Sequence, residues 1–425
     1  MEERVYTHDM LAGKGIHTLR VILREEFGGT PGTLPKEKLI GKILEIQETK
    51  VVPERSTKGR KPYKKESEFP TGVVGVMKRE TLLSDDERGV CELNDSTSAH
   101  ETELGGYFVE RKGGYGTVYS DGKLYPKGEY FVPKATVATY GLRCGDLLSV
   151  SVTHGPDIPL VSVVHKINGE NVKPYEGRKT FESFDVSYPV ERLRLSDPAR
   201  DEELLRAAPI GMGQRCLATY AIETPKNNFF DEIVRSSASC GYVFVGLLTG
   251  CTPESASALR KATGYEMFCS TFDDPAERKC LFSDLAVGRA KRLAEQGKNV
   301  VLGIGDIVEV VRSYHEFLTP DENMSYTQPV KASMEVLRSI FATARNLEGG
   351  GTLTLITGYK ISDAPFDKII EVACNRMASD KIRLCPDATR GFYVDEKKSG
   401  NVSAHIFLSD DEYRAYQACH SEFDL

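Results

Sequence analysis

The sequence of 425 residues contains no tryptophan, no apolar run long enough to cross a membrane and no excess of basic side chains. A membrane-spanning helix needs about 20 mostly apolar residues in a row, so we expect no membrane partner. The net charge at pH 7 is −7, whereas a general nucleic-acid binder is usually basic because contacts to phosphates dominate its affinity. Any binding of RNA or DNA is therefore expected from local surfaces.

Closely spaced cysteines are also missing. The ten cysteines form no C-x-x-C pair: Cys91, Cys144, Cys216, Cys240, Cys251, Cys269, Cys280, Cys374, Cys385 and Cys419. A disulfide framework or a zinc site needs tighter grouping, so we expect reduced, mostly buried thiols and no metal site. The segment MEERVYTHDM at the start has no apolar stretch that a signal peptidase would recognise. Both features predict a cytoplasmic protein.

The first hundred residues predict two different segments. Over residues 1–48, apolar side chains recur at helical spacing in His17–Phe27 and Pro35–Ile46, which predicts a small helical domain. Residues 49–100 have no apolar period and carry a basic segment, RSTKGRKPYKK (55–65), followed by an acidic one. This pattern predicts a charged linker or insertion. A solubilising linker is the favoured interpretation, and binding of the basic segment to a phosphate backbone is the alternative.

Residues 101–175 predict a small closed β-barrel of the oligonucleotide-binding (OB) or cold-shock type, because short alternating strands are separated by turns rich in glycine and aspartate. The strands are predicted over Tyr107–Glu110, Tyr115–Tyr119, Glu129–Pro133, Asp146–Val152 and Pro159–Ile167. In such barrels, exposed aromatic rings stack on unpaired bases. Tyr107, Phe108, Tyr115 and Phe131 are therefore candidate RNA-binding residues. The alternative that two or three of these rings fill the barrel interior stays open.

Residues 176–425 alternate apolar strands with amphipathic helices, which predicts an α/β domain with a parallel sheet covered on both faces. Ligands of such sheets bind at the carboxyl ends of the strands. The predicted strands are Cys216–Tyr220, Tyr242–Leu248, Glu266–Cys269, Asn299–Ile304 and Thr352–Thr357. The predicted helices include Glu254–Ala262, Pro275–Gln296 and Val330–Ala342.

Several long motifs occur in this order: YGLRCGD (140–146), PIGMGQR (209–215), STFDDPAER (270–278), RAKRLAEQGKNVV (289–301) and ATARNLEGGGTLTLIT (342–357). In order and spacing they resemble the bacterial transcription termination factor Rho family of hexameric RNA-dependent ATPases. The resemblance covers most of the chain outside residues 49–100. It implies a RecA-like P-loop ATPase fold, an N-terminal helical cap and an OB or cold-shock barrel that binds RNA. It also implies ATP and Mg²⁺ as ligands of the family.

The phosphate-binding loop implied by the resemblance falls on Ala221–Asn228, AIETPKNN. Such a loop needs flexible glycine, a lysine for the phosphates and a hydroxyl for Mg²⁺. Lys226 occupies the lysine position, but Pro225 replaces glycine and removes a backbone donor. Asn227 stands at the hydroxyl position, and Glu223 would face the triphosphate with a like charge. We therefore expect Lys226 and Asn227 to belong to a degenerate loop and no confident cofactor.

The catalytic acids implied by the resemblance are also replaced. The acidic pair that orients the attacking water falls on Gly250 and Cys251, and the following arginine on Thr252. The aspartate that supports Mg²⁺ falls on Gly305, with Asp306 one residue later. Because side chains alternate along a strand, this shift predicts that the Asp306 carboxylate points to the wrong face. A slip in register would restore it.

The parts implied to grip RNA are reduced as well. The loop at 313–330 lacks the family's paired glycines, and the family's Gly-Thr-Gly loop has no counterpart in 371–384. The match of Arg390 to an inter-subunit arginine finger is loose. In the barrel, Tyr115, Phe131 and Glu129 keep positions of the family's RNA site. The second stacking position falls on Thr117, which has no π face, and a later one falls near Ile158. We expect RNA binding that is weakened but retained.

Three functions remain open. The leading hypothesis is a Rho-like protein of transcription termination that binds single-stranded RNA weakly and lacks efficient ATP hydrolysis. It would join, block or titrate authentic Rho or the RNA polymerase machinery, in a homo- or hetero-hexamer. The second is an active RNA translocase or helicase that uses Lys226, Asp306 and a replacement base such as Glu254. The third is a protein-interaction adaptor that has lost nucleic-acid binding, which the acidic net charge favours.

Overall fold

The computed structural model describes residues 7–12, 18–19, 22–23, 35–49, 101–120, 128–153, 159–172, 178–220, 226–261, 265–319 and 327–420. The chain divides into two compact units, residues 1–69 and residues 70–425. Apart from Thr49, which ends a helix, the predicted linker 49–100 lies outside the described residues. In these ranges no helix is both long enough and apolar enough to cross a membrane.

The first unit contains helices α1 (His8–Ala12) and α2 (Lys36–Thr49). The apolar side chains of α2 at 39, 40, 43 and 46 lie on one face at helical spacing, and all four are buried. They form a small core with Leu11 of α1 and with Leu19, Ile22 and Leu23. Of the predicted helix His17–Phe27, the four described residues are helical.

The second unit begins with a five-stranded barrel. Its elements are β1 (Glu101–Glu110), β2 (Gly116–Ser120), β3 (Gly128–Val132), α3 (Lys134–Tyr140), β4 (Leu147–Thr153) and β5 (Leu160–Ile167), followed by the short β6 (Glu170–Asn171). The strand order is β3-β2-β1-β4-β5, and pairing of Phe131 in β3 with Leu160 in β5 closes the barrel. The interior is apolar, with Leu104, Phe108, Val118, Val132 and Val150 among its buried residues.

The rest of the second unit is the α/β domain. Its strands are β7 (Val186–Ser187), β8 (Arg215–Tyr220), β9 (Val243–Cys251), β10 (Glu266–Thr271), β11 (Asn299–Ile304), β12 (Arg345–Leu347), β13 (Thr352–Lys360), β14 (Asp380–Asp387), β15 (Gly391–Val394) and β16 (Gly400–Asn401). Its helices are α4 (Pro198–Ala207), α5 (Lys226–Ser239), α6 (Pro253–Lys261), α7 (Ala276–Glu295), α8 (Ile307–Phe317), α9 (Thr327–Phe341), α10 (Pro365–Met377), α11 (Ala404–Phe407) and α12 (Asp410–His420).

The central sheet has the order β10-β9-β11-β13-β8-β14-β15. All neighbours along this path are parallel except β14 and β15. One face packs against α7, α8 and α9, and the other against α4 and α5. The expected RecA-like α/β fold with a closed β-barrel is therefore confirmed. The parallel arrangement brings the carboxyl ends of β8, β9, β11 and β13 to one edge.

Polar contacts dock the barrel on α7. Arg143, in the loop before β4, forms an ion pair of 3.1 Å with Glu295 at the end of α7. Asn168, in the turn after β5, accepts a hydrogen bond of 2.7 Å from Arg289 of α7. It also donates to the fully buried Asp146, which forms an ion pair with Arg178. Because these groups are largely buried and mutually hydrogen-bonded, they hold the barrel in one orientation on the α/β domain.

Candidate functional site

A cavity of about 470 Å³ lies at the carboxyl ends of β9 and β11. Gly250 and Cys251 at the end of β9 and Gly305 and Asp306 just after β11 all line it, so the structure brings these four predicted positions together. The two strands are in contact there, because the N–H of Gly305 donates to the carbonyl oxygen of Leu247 at 3.0 Å.

Apolar side chains form most of the wall of this cavity: Phe230, Val234, Phe244, Leu248, Tyr265 and Met267. Its two carboxylates are Asp231 and Asp306, and no lysine or arginine is among its described lining residues. Burial raises the pKa of Asp231 above its usual value. The described part of the lining is thus mainly apolar, with two acidic side chains. The sequence pattern does not single out Asp231, because no phosphate-loop motif includes that position.

The end of β9 carries no acidic side chain of its own. Gly250 has a φ of +66°, a left-handed conformation in which glycine is favoured. The Cys251 thiol donates to the carbonyl oxygen of Ser270 in β10 at 3.3 Å. Thr252 and Glu254 are exposed, and neither Glu254 nor any other glutamate is among the described lining residues. Gly250 and Cys251 themselves bring no carboxylate to this edge, but that of Glu309 in α8 approaches it: its Oε2 lies 3.5 Å from where a Cβ on Gly250 would be, and it forms an ion pair with Arg312.

Asp306 has a structural role that the alternation argument did not anticipate. Strand β11 ends at Ile304, so Asp306 lies beyond the strand and is the N-cap of α8. Its carboxylate accepts hydrogen bonds from the backbone N–H groups of Val308 at 3.1 Å and Glu309 at 3.5 Å. The hydroxyl of Tyr220 donates to the second carboxylate oxygen at 3.3 Å. Its direction is therefore set by capping of the helix and not by strand alternation.

Lys226 and Asn227 are the first two residues of α5. The helix begins inside the predicted phosphate loop 221–228, but the side chains of Lys226 and Asn227 and residues 221–225 lie outside the described part of the structure. Arg390 is exposed in the turn between β14 and β15, where its N–H donates to Asp387 at 2.7 Å. In the described ranges no cluster of three or more histidine, cysteine or acidic residues is arranged to hold a metal ion.

The candidate RNA-binding residues separate into two groups. Tyr115 and Phe131 lie together on the β2–β3 side of the barrel, with ring centroids 5.4 Å apart and partly exposed rings. Glu129 is exposed beside them and forms an ion pair of 3.0 Å with Arg111. Thr117 pairs directly with Phe131 across the two strands. This surface, the Tyr115–Phe131 face, keeps two adjacent aromatic rings next to a guanidinium group.

Tyr107 and Phe108 do not lie on that face. Phe108 is completely buried in the barrel interior, so its ring has no surface to offer a base, and the expectation of stacking is corrected for this residue. The Tyr107 hydroxyl donates to Glu266 of β10 at 3.0 Å, and its ring lies 5.0 Å from that of Phe268. Tyr107 thus joins the barrel to the α/β domain. Of the four candidate rings, only that of Phe108 is among the buried residues of the barrel interior, so Tyr107 does not fit the alternative that two or three of them fill it.

No protein-family model matches the sequence. Transcription termination factor Rho of Streptosporangium roseum is 31% identical over 337 residues, which cover 75% of this chain and 84% of that protein. Rho of Buchnera aphidicola subsp. Baizongia pistaciae and Rho of Pseudomonas aeruginosa are each 26% identical over 326 residues. Each of these two matches covers 70% of this chain and 75% of the relative. Among solved structures, an ATP synthase subunit from Nanoarcheaum equitans is similar with a TM-score of 0.48 and 18% identity, over 59% of this chain and 66% of that one.

Proposed function

Because the chain belongs to the transcription termination factor Rho family, we propose that it is an RNA-binding member of that family without efficient ATP hydrolysis. The observation that carries this proposal is the chemistry of the edge formed by β9 and β11. Hydrolysis of ATP needs a carboxylate to orient water and a second one to support Mg²⁺. The first position is occupied by Gly250 and Cys251, and Asp306, which follows β11, serves as the N-cap of α8.

Two further features support the loss of hydrolysis. Pro225 in the loop removes one of the backbone N–H groups that hold phosphate. Asn227 lacks the hydroxyl that coordinates Mg²⁺. Each replacement affects a different requirement of ATP hydrolysis. Reversal of one replacement alone is therefore not expected to restore hydrolysis.

The Tyr115–Phe131 face supports a retained but modest affinity for single-stranded RNA. Two partly exposed rings with centroids 5.4 Å apart can each offer a π face to a base. Stacking is worth about 1–3 kcal/mol per base. A face with two rings can therefore stack on about two bases, and we expect a modest affinity for RNA. Such a protein would act in the cytoplasm by joining, blocking or titrating Rho or the transcription machinery, within homo- or hetero-hexamers.

The test is hydrolysis of ATP in the presence of pyrimidine-rich RNA, compared with an authentic Rho at equal concentration. We expect a turnover rate less than a tenth of that of Rho. Lys226→Ala is the control, because it removes the retained phosphate-loop lysine and should leave any residual rate unchanged. A rate within tenfold of that of Rho that is lost in Lys226→Ala contradicts the proposal and supports an active translocase.

A protein-interaction adaptor is the second candidate. It is favoured by the net charge of −7. It is also favoured by the contacts of Tyr107 and Phe108, which leave two of the four predicted rings on the Tyr115–Phe131 face. Absence of binding to pyrimidine-rich single strands even at low salt would select this candidate, since electrostatic binding is strongest there.

A further inference from the structure

Residues 185–191, DVSYPVE, present large apolar side chains to solvent. Val186, Tyr188 and Val190 are 57%, 76% and 79% exposed. They recur at every second position, and in an extended chain such side chains lie on one side, about 6.6 Å apart. A single exposed apolar residue is common, whereas several neighbouring ones mark an interaction surface. We call these three residues the apolar row.

The backbone that carries the apolar row is held by pairing at both ends. Ser187 of β7 pairs with Asn346 of β12, and the side-chain amide of Asn346 donates to the carbonyl oxygen of Tyr188 at 3.1 Å. Beyond the row, Arg192 pairs with Gly211. The segment is therefore ordered before any partner arrives, so binding does not cost the entropy of ordering it.

A cavity of about 660 Å³ extends this surface from Val190. Ile406 of α11 lines the same cavity and is 40% exposed, and the buried Leu193 and Met212 form part of its wall. Asn299, the first residue of β11, lines it as well. The cavity therefore lies at the amino ends of the parallel strands, at the opposite edge of the sheet from the candidate nucleotide site.

The charges on the two segments that form this surface are negative. Residues 185–191 and 402–412 together contain five carboxylates and no lysine or arginine. Asp185, Glu191 and Asp410 are exposed, and none of them forms an ion pair within the described ranges. An apolar contact with carboxylates around it is complementary to a partner that carries basic residues beside apolar ones.

The nearby cations already have partners. Arg194, which lines the cavity, forms an ion pair of 3.0 Å with Glu412. Arg345 of β12 donates to the carbonyl oxygen of Ala342 at 3.1 Å, and its guanidinium lies 4.9 Å from the centre of the Phe181 ring. These contacts leave the unpaired carboxylates to set the charge that a partner meets.

We propose that the apolar row and the cavity beside it form a docking surface for another protein, which contributes an extended segment of apolar and basic side chains. RNA would bring phosphates to a negative surface, and a second copy would bring the same carboxylates face to face. In the described part of the sheet β7 pairs only with β12, so its outer edge can accept an extended segment. This inference goes beyond the proposed function, because it needs neither RNA binding nor the loss of hydrolysis.

The first experiment identifies what covers the surface. The photoreactive residue p-benzoylphenylalanine replaces Tyr188 in the full chain, which is produced in its source organism and irradiated in the cells. The same residue at Phe272, which is 64% exposed and follows β10, is the matched control. We expect position 188 alone to cross-link another protein, at a segment of positive net charge found by mass spectrometry. Cross-links only to RNA, only to a second copy, or no more than at position 272 overturn the inference.

The second experiment measures the contact itself. A synthetic peptide with the sequence of the cross-linked segment is titrated with the purified chain and followed by fluorescence anisotropy. We expect the double variant Tyr188→Ser, Val190→Ser to bind at least tenfold more weakly, Glu191→Lys to bind more weakly at low salt, and Phe272→Ser to bind as the unmodified chain does. Melting temperatures establish that the variants are folded. Unchanged affinity in the double variant overturns the inference.

This result is separate from a failure of the proposed function. The double variant keeps the Tyr115–Phe131 face and the β9–β11 edge, so its RNA binding and its rate of ATP hydrolysis should equal those of the unmodified chain.

Discussion

Gly145 of the barrel and Gly288 of α7 meet backbone to backbone. A Cβ atom on Gly145 would lie 2.2 Å from the carbonyl carbon of Gly288, and one on Gly288 would lie 2.7 Å from the carbonyl oxygen of Cys144. Real Cβ atoms do not approach other heavy atoms so closely, and the atoms they would meet belong to the backbone, which cannot rotate away. The barrel and the α/β domain therefore depend on two glycines at their contact.

Gly145→Ala is predicted to destabilise the fold through this contact. Gly145 and Gly297 have almost the same φ, +85° and +81°, but a Cβ on Gly297 meets no atom within 4 Å. Alanine in the left-handed region costs about 1–2 kcal/mol, and overpacking adds about 1–3 kcal/mol. We expect the free energy of unfolding, measured with urea, to fall by about 1–2 kcal/mol in Gly297→Ala and by about 3 kcal/mol or more in Gly145→Ala. Equal losses would show that conformation alone decides the effect.

Tyr115→Ala is predicted to weaken binding of pyrimidine-rich single-stranded RNA without lowering stability much. Loss of one stacking ring costs about 1–3 kcal/mol, which is a decrease in affinity of about 5- to 150-fold. Tyr115→Phe keeps the π face and should stay within about twofold of the unmodified protein. Fluorescence anisotropy measured over a range of salt concentrations provides the affinities.

Tyr107→Ala is the matched control for the RNA measurement. It removes the hydrogen bond to Glu266 and the contact with Phe268, so we expect a lower melting temperature and an RNA affinity close to that of the unmodified protein. Equal losses of RNA affinity in Tyr107→Ala and Tyr115→Ala would place bases on both residues and contradict the division between them.

Two buried aspartates are predicted to give opposite pH dependence of stability. Asp380 is fully buried, neither of its carboxylate oxygens has a hydrogen-bond partner within the described ranges, and burial raises its pKa well above the usual value. The unfolded chain releases this proton near pH 4, so the contribution of Asp380 to stability is lost as the pH rises from there through its pKa in the folded state. Asp380→Asn should therefore stabilise the protein more at pH 8 than at pH 5, by about 1.4 kcal/mol or more, the equivalent of one pKa unit.

Asp367 supplies the contrast. Burial acts to raise its pKa, but hydrogen bonds from Arg312 and Ser362 outweigh burial and hold the pKa below its usual value. The guanidinium of Arg312 reaches Asp367 with bonds of 2.7 and 3.1 Å, which join α8 to α10. Its stabilisation is present above about pH 4 and is lost as the pH falls. Asp367→Asn should cost about 1.5–3 kcal/mol at pH 7 and less at pH 3. The free energy of unfolding in urea is measured against pH for Asp380→Asn and Asp367→Asn. If the two variants show the same pH dependence, the opposite directions of the two pKa shifts are contradicted.

Strands were predictable where burial and side-chain pattern agree. Strand β11 covers Asn299–Ile304 as the apolar run indicates, because a strand buried on both faces is apolar throughout. Helix α8 was not predicted. Its first turns contain Ile307, Val308, Val310 and Val311, β-branched residues that favour a strand. The Asp306 cap and packing against the sheet outweigh that preference, and neither is visible as a local pattern.

The family and the alternation of apolar strands with helices follow from the sequence by itself, because each depends on residue type and spacing along the chain. The roles of Phe108, Tyr107 and Tyr220 were decided only by the tertiary structure. Phe108 lies inside the barrel, Tyr107 reaches Glu266, which is 159 positions away, and Tyr220 crosses Gly358 to the end of β11. The alternation of side chains along a strand predicts which face of the sheet a ring lies on. It does not predict which residues pack against that face, because they come from segments that are distant in the sequence.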